Sequence, residues 1–150
     1  MFSTIVWATD GSQAADRAIP YVSGLAQHHR ASVITLHTVE HVAGPQAGPV
    51  HADEEDLKSK IQDQVAALSK DGIDARMEIV GGSTLVGAAH VIADFAEKVG
   101  ADLIIVGTRG HTAIGGLLLG SVTQRLLHIT PCPVLTVPDK PLKAEGNAEP

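Results

Sequence analysis

An apolar run, Leu103-Ile104-Ile105-Val106, leads into a stretch punctuated by Gly107, Gly110, Gly115, Gly116 and Gly120, and a helical pattern from Val122 to Ile129 leads out of it. Strand, glycine-rich loop and helix in that order are how an open α/β sheet builds an anion site, because a helix start presents unpaired N–H groups and glycines let the backbone close on an anion. Ser121 and Gln124 fit the capping-box spacing, which predicts a helix start at Ser121 with Gly120 just before it. The stretch does not match a Walker A loop, since Ser121 stands where the lysine would be after Gly115 and Gly120. No Gly-x-Gly-x-x-Gly follows a strand either. The same glycines would also serve a set of tight turns, and loop chemistry alone leaves both readings open.

The remaining chain reads as strands alternating with helices. Thr4–Ala8 is a short apolar strand, after which Asp10 or Ser12 can cap a helix whose Ala14, Ala15, Ala18, Val22, Leu25 and Ala26 recur at helical spacing. Pro20 interrupts that pattern and predicts a distortion or a frayed start. Ser32–Val39 is the second strand, and 40–49 reads as a mobile loop. Asp53, Glu54, Glu55 and Asp56 suit the first turn of a helix carried by Leu57, Ile61, Val65 and Leu68 to a stop at Asp71-Gly72. Ala75–Val80 is the third strand, with Gly81-Gly82-Ser83 as a turn. A helix over 84–99 is expected to bury Val86, Ala89, Ala93 and Ala96. The fourth strand is Asp102–Val106, and Val134–Val137 forms the fifth after Pro131-Cys132-Pro133.

This order predicts right-handed crossovers and a doubly wound parallel α/β sheet. Such sheets bind ligands beyond the carboxyl ends of their strands, at the point where strand order reverses. Asp10, Val39 and the Gly107 loop all fall at strand ends, which favours the anion site over the bare turns. With aromatics at 3% of 150 residues, the core has to be built from Val, Ile, Leu and Ala, as suits a sheet buried on both faces. A net charge of −6 without a basic cluster argues against a nucleic-acid face. One cysteine, Cys132, excludes an internal disulfide and reads as a packing residue. No apolar run reaches membrane-spanning length and no signal peptide precedes the first strand, so the expected location is the cytoplasm. His37 and His41 could share a strand face, but no carboxylate or cysteine stands at a metal-ligand spacing from them, and chance surface or strand-end histidines are the preferred reading.

Gly107-x2-Gly110-x9-Gly120-Ser121, with the segment Thr4–Ser12, Ala101–Gly107 and Pro131–Leu135, resembles the universal stress protein family in its ATP-binding branch. The likeness spans about residues 2–138. It implies a Rossmann-like five-stranded sheet in the order 3-2-1-4-5, a domain over 1–138 and a polar, disordered tail over 139–150. It also implies a site in which Ala8, Thr9 and Asp10 approach the ribose or adenine and the backbone of Val39 meets the adenine edge. Gly107 and Arg109 would flank the ribose, while Gly110, Gly120, Ser121, Val122 and Thr123 would hold phosphates. ATP is the implied ligand, with AMP or cyclic AMP as relatives and a magnesium or manganese ion bridging the phosphates. A homodimer would form through Val134, Leu135, Thr136 and Val137. No catalytic constellation is marked: Ser12, Ser83 and Ser121 lack a nucleophile elbow, and no lysine or general base marks the loop. The expected role is a nucleotide-dependent sensor or regulator of a stress response, and the alternative is a slow ATP hydrolase or phosphotransferase using the same site.

Overall fold

The fold was read from a computed structural model, which describes residues 1–41, 52–83, 86–108 and 120–139. Five strands form one all-parallel sheet: β1 (Thr4–Ala8), β2 (Ser32–His41), β3 (Ala75–Ser83), β4 (Leu103–Gly107) and β5 (Val134–Val137), in the order β3-β2-β1-β4-β5. The helices that connect them are α1 (Gln13–Asp16), α2 (Ile19–His29), α3 (Ala52–Lys70), α4 (Gly87–Val99) and α5 (Ser121–Ile129).

Strand alternation sends neighbouring side chains of β1 into two different cores. Ile5 and Trp7 pack with Val22 and Ala26 of α2 and Leu68 of α3, whereas Val6 packs with Ile92 and Ala96 of α4 and Leu126 of α5. Trp7, Ile104 and Ile105 are completely buried, each contributing on the order of 2 kcal/mol through the apolar area removed from water. Cys132 packs at the rim of the second core, and burial pushes its thiol pKa up.

The predicted first helix is two helices. Pro20 lacks an N–H and its ring would meet the carbonyl four residues back, so α1 ends at Asp16 and α2 restarts with Pro20 in its first turn. Ser12, not Asp10, caps α1: its hydroxyl accepts from the Ala15 N–H at 3.2 Å. Gly81, Gly82 and Ser83 do not turn; they extend β3 and pair with Val39, Glu40 and His41 of a β2 longer than expected. Here the sheet ladder overrides the turn preference of glycine. Val86, expected in the core, is 47% exposed at the start of α4. The expected loop at 40–49 and the tail at 139–150 lie almost wholly outside the described residues.

The amino end of the sheet is stapled. Asp102 Oδ2 accepts from the N–H groups of Ser3 (2.7 Å) and Thr4 (2.9 Å), which tie the start of β1 to the start of β4. Those two bonds, chiefly the one from Ser3, hold the Asp102 carboxyl below the usual carboxylate range.

Candidate functional site

The β1–β4 ladder stops at Trp7–Ile105, although β1 continues alongside β2 to Ala8–Leu36 and β4 alongside β5 to Gly107–Val137. Strand order reverses between β1 and β4, and beyond the last pair the two strands part. A cleft of about 140 Å³ opens at that point, at the carboxyl end of the sheet.

One wall is the end of β1, where Ala8, Thr9 and Asp10 line the cleft. The backbone there is shaped by short-range bonds: the Gly11 N–H donates to Thr9 Oγ1 at 3.1 Å and the Ser12 N–H donates to Asp10 Oδ1 at 2.9 Å. Gly11 has φ +75° and lies against Leu57, so a side chain there would be both strained and overlapping. The floor is apolar, made by Leu36 of β2, Ala88 and Ile92 of α4 and Val106 of β4.

The opposite wall is Gly107, Gly120 and the first turn of α5, where Ser121, Val122 and Thr123 all reach the cleft. Gly120 is the N-cap residue, in extended conformation, and Ser121 is the first helical residue. The expected capping box is therefore absent: no side chain caps α5, and Gln124 N–H bonds to the Gly120 carbonyl at 2.9 Å as an ordinary helical pair. The N–H groups of Ser121, Val122 and Thr123 fall in the turn for which the helix itself supplies no acceptor, at the positive end of its dipole. Thr123 is buried and its hydroxyl donates to the Gly107 carbonyl at 2.8 Å, which fastens α5 to the end of β4. It orients the wall as well as lining it.

Of the residues singled out in the sequence, Ala8, Thr9, Asp10, Gly107, Gly120, Ser121, Val122 and Thr123 thus meet around one cleft. Val39 does not line it; its neighbour Thr38 does, while Val39 pairs with Gly81. Arg109 and Gly110 lie outside the described residues. Ala88 and Ile92 carried no sequence signal beyond helical periodicity. His37 is not a strand-end surface residue: it is 3% exposed, with its ring between the Thr9 carbonyl and Glu54. Among the described residues no group of three His, Cys, Asp or Glu side chains could hold a metal ion. None of the described helices is long and apolar enough to cross a membrane.

A five-stranded parallel sheet in this order, with a cleft at its switch point, defines a doubly wound α/β domain. The family model of the universal stress protein family matches residues 1–138. A universal stress protein of Thermus aquaticus is 36% identical over 142 residues, covering 91% of this chain and 99% of the relative. Another, from Methanocaldococcus jannaschii, is 33% identical over 150 residues, covering 95% and 85%. This chain therefore belongs to the universal stress protein family. Among solved structures, universal stress protein UspA from Lactobacillus plantarum shares the fold with a TM-score of 0.78 at 24% identity, covering 91% of this chain and 97% of that one. A universal stress protein in complex with cAMP gives 0.69 at 24%, covering 93% and 98%. One from Archaeoglobus fulgidus in complex with dAMP gives 0.66 at 19%, covering 91% and 97%.

Proposed function

We propose that the cleft binds ATP or a related adenine nucleotide, and that the protein acts as a nucleotide-dependent regulator rather than as an enzyme. The observation that carries this reading is the division of chemistry across the cleft. The α5 wall offers N–H donors and a positive dipole end, suited to phosphate oxygens. The β1 wall offers the Asp10 carboxylate, suited to sugar hydroxyls, and the floor of Leu36, Ala88, Ile92 and Val106 suits a flat base. A nucleoside phosphate presents those three surfaces in that order. The complexes of related folds with cAMP and dAMP lend support.

In this reading Gly120 keeps the backbone close to the phosphates, and Arg109 and Gly110 belong to the same loop. A magnesium or manganese ion is held through the phosphates rather than by a protein cage. The functional unit is a domain over 1–138 in the cytoplasm, paired with a second copy through β5. The half-exposed Val134, Leu135 and Thr136 sit on an edge strand, where strand pairing would cover them.

Titration calorimetry with ATP and magnesium tests the binding. Gly120 has φ −66°, a conformation valine accepts, so Gly120→Val is expected to keep the fold and weaken ATP at least a hundredfold by filling the phosphate wall. Unchanged affinity in that variant would remove the α5 wall from the site. Chromatography of nucleotide released on denaturation separates retention from turnover: ATP supports the regulator, whereas ADP produced at a steady rate supports the hydrolase.

A further inference from the structure

The β1 wall of the cleft is held from behind by one face of α3. Glu54, Leu57, Lys60 and Gln64 recur at helical spacing along that face, and each reaches the segment from Thr9 to Asp16 or the ring that contacts it. Leu57 lies against Gly11, where an added Cβ would fall 2.6 Å from its Cδ2. Lys60 Nζ donates to the Gly11 carbonyl at 2.8 Å and pairs with Asp16 at 2.7 Å. Gln64 Nε2 donates to Asp16 Oδ1 at 2.9 Å.

The deepest of these contacts runs through His37. Leu36 and Thr38 face the cleft, so strand alternation turns His37 to the other side of β2, beneath α3. Its side chain is 4% exposed, with Nδ1 3.1 Å from the Thr9 carbonyl oxygen and Nε2 2.7 Å from Glu54 Oε1. A carbonyl only accepts, so Nδ1 carries a hydrogen and donates it to Thr9, and the 2.7 Å contact of Nε2 with Glu54 is bridged by a second hydrogen, on the ring or on the carboxyl. The ring is thereby fixed at both ends.

We infer that His37 is a positioning residue for the nucleotide cleft, with Glu54 as its anchor. The inference rests on the nucleotide reading of that cleft. The described peptide bonds are all trans, and in a trans peptide the C=O and the following N–H point in opposite directions. Holding the Thr9 carbonyl toward α3 therefore turns the Asp10 N–H away from α3, to the side on which the cleft lies, and fixes where the Asp10 side chain departs. His37 touches no ligand; it sets the plane of the Thr9–Asp10 peptide, and through it the donor and the carboxylate offered to the sugar.

Asparagine places an N–H where Nδ1 stands, and glutamine places one where Nε2 stands. His37→Asn keeps the bond to Thr9, and His37→Gln keeps only the side facing Glu54. Calorimetry with ATP and magnesium is expected to show near-native affinity for His37→Asn and about tenfold weaker binding for His37→Gln, the scale of one hydrogen bond. Amide hydrogen exchange at Gly11 and Ser12, whose N–H groups bond to Thr9 and Asp10 side chains, is expected to quicken in His37→Gln and not in His37→Asn. Glu54→Ala, on the partly exposed helix, provides a variant that leaves the buried ring and its bond to Thr9 in place, and it is expected to weaken binding less than His37→Gln. Equal affinity and equal exchange in all variants overturn the inference. So does equal loss in His37→Asn and His37→Gln, which marks the ring as a space-filler. Failure of the native protein to bind ATP would instead overturn the nucleotide reading, while the exchange arm still decides whether His37 holds the Thr9–Asp10 peptide.

Discussion

The two ends of the sheet treat their polar backbone differently. At the amino end, groups are consumed internally. Asp102 takes the N–H groups of Ser3 and Thr4, the Ser32 N–H bonds to the Ser3 carbonyl and the Val33 N–H to the Asp74 carbonyl. Two of the helices finishing there close with left-handed residues, Arg30 after α2 and Gly100 after α4, whose N–H groups return to carbonyls of the last turn. At the carboxyl end, α4 and α5 both begin without a side-chain cap, and residues from each line the cleft. One end is finished for stability. The other leaves donors facing a cavity, and the proposed site draws on that asymmetry.

The contrast can be broken most severely at Gly11, where the wall of the cleft packs closely against Leu57. Gly11→Val introduces a side chain at positive φ and into Leu57, and is expected to destabilise the fold by about 3 kcal/mol in urea unfolding. A loss below about 1 kcal/mol would mean that α3 backs away easily and does not brace the cleft wall.

The amino-end staple is sharpened by pH. The Asp102 carboxyl is held below its ordinary value of 3.8, so its stabilisation is complete above that value and disappears as pH falls through the lower folded value. Asp102→Ala is expected to lower the melting temperature at pH 7, with the difference from native shrinking below about pH 4. A difference independent of pH would show that packing, not the ionised carboxylate, joins β1 to β4. Nucleotide affinity is expected to be unaffected, because the staple lies at the far end of the sheet.

The smallest effect concerns Arg30, the only non-glycine among the described residues at positive φ, with φ 54°. Arg30→Gly relieves that conformation at the cost of a more flexible unfolded chain, for a net gain of about 0.5 kcal/mol. A loss of stability would show that the exposed arginine side chain contributes more than its backbone strain removes.

Strand and helix identity was legible wherever a single local rule acted. Leu103–Val106 and Val134–Val137 are apolar runs between breakers, and both are strands; Asp71-Gly72 and Gly100 end helices as their chemistry demands. Misreadings arose where a longer-range partner outweighed a local preference. Gly81-Gly82-Ser83 has turn composition, but β2 is there to pair with it. Val86 fits the helical period, yet lies at the helix start, beyond the sheet it would have packed on. Strand-end logic grouped Asp10, Val39 and the Gly107 loop on one edge of the sheet; Asp10 and Gly107 line the cleft there and Val39 does not. His37 and Glu54 are 17 residues apart with no motif joining them, and only the packing of α3 over β2 brings them into contact. Asp102 is similarly mute in sequence, its partners standing 98 and 99 residues away.

The overrun of β2 and β3 has a consequence for the rim of the cleft. Beyond the Ala8–Leu36 pair, β2 continues for five residues to His41 with β3 as its partner and no third strand among the described residues. At about 3.3 Å per residue this two-stranded ribbon projects roughly 16 Å past the shared sheet, with Thr38 of the cleft at its base. A ribbon of two strands alone is only marginally stable, and here helices supply the support: His37 lies beneath α3, and Val80 packs against the core that α4 helps to form. Thr38 of the cleft therefore stands on a rim held from both faces.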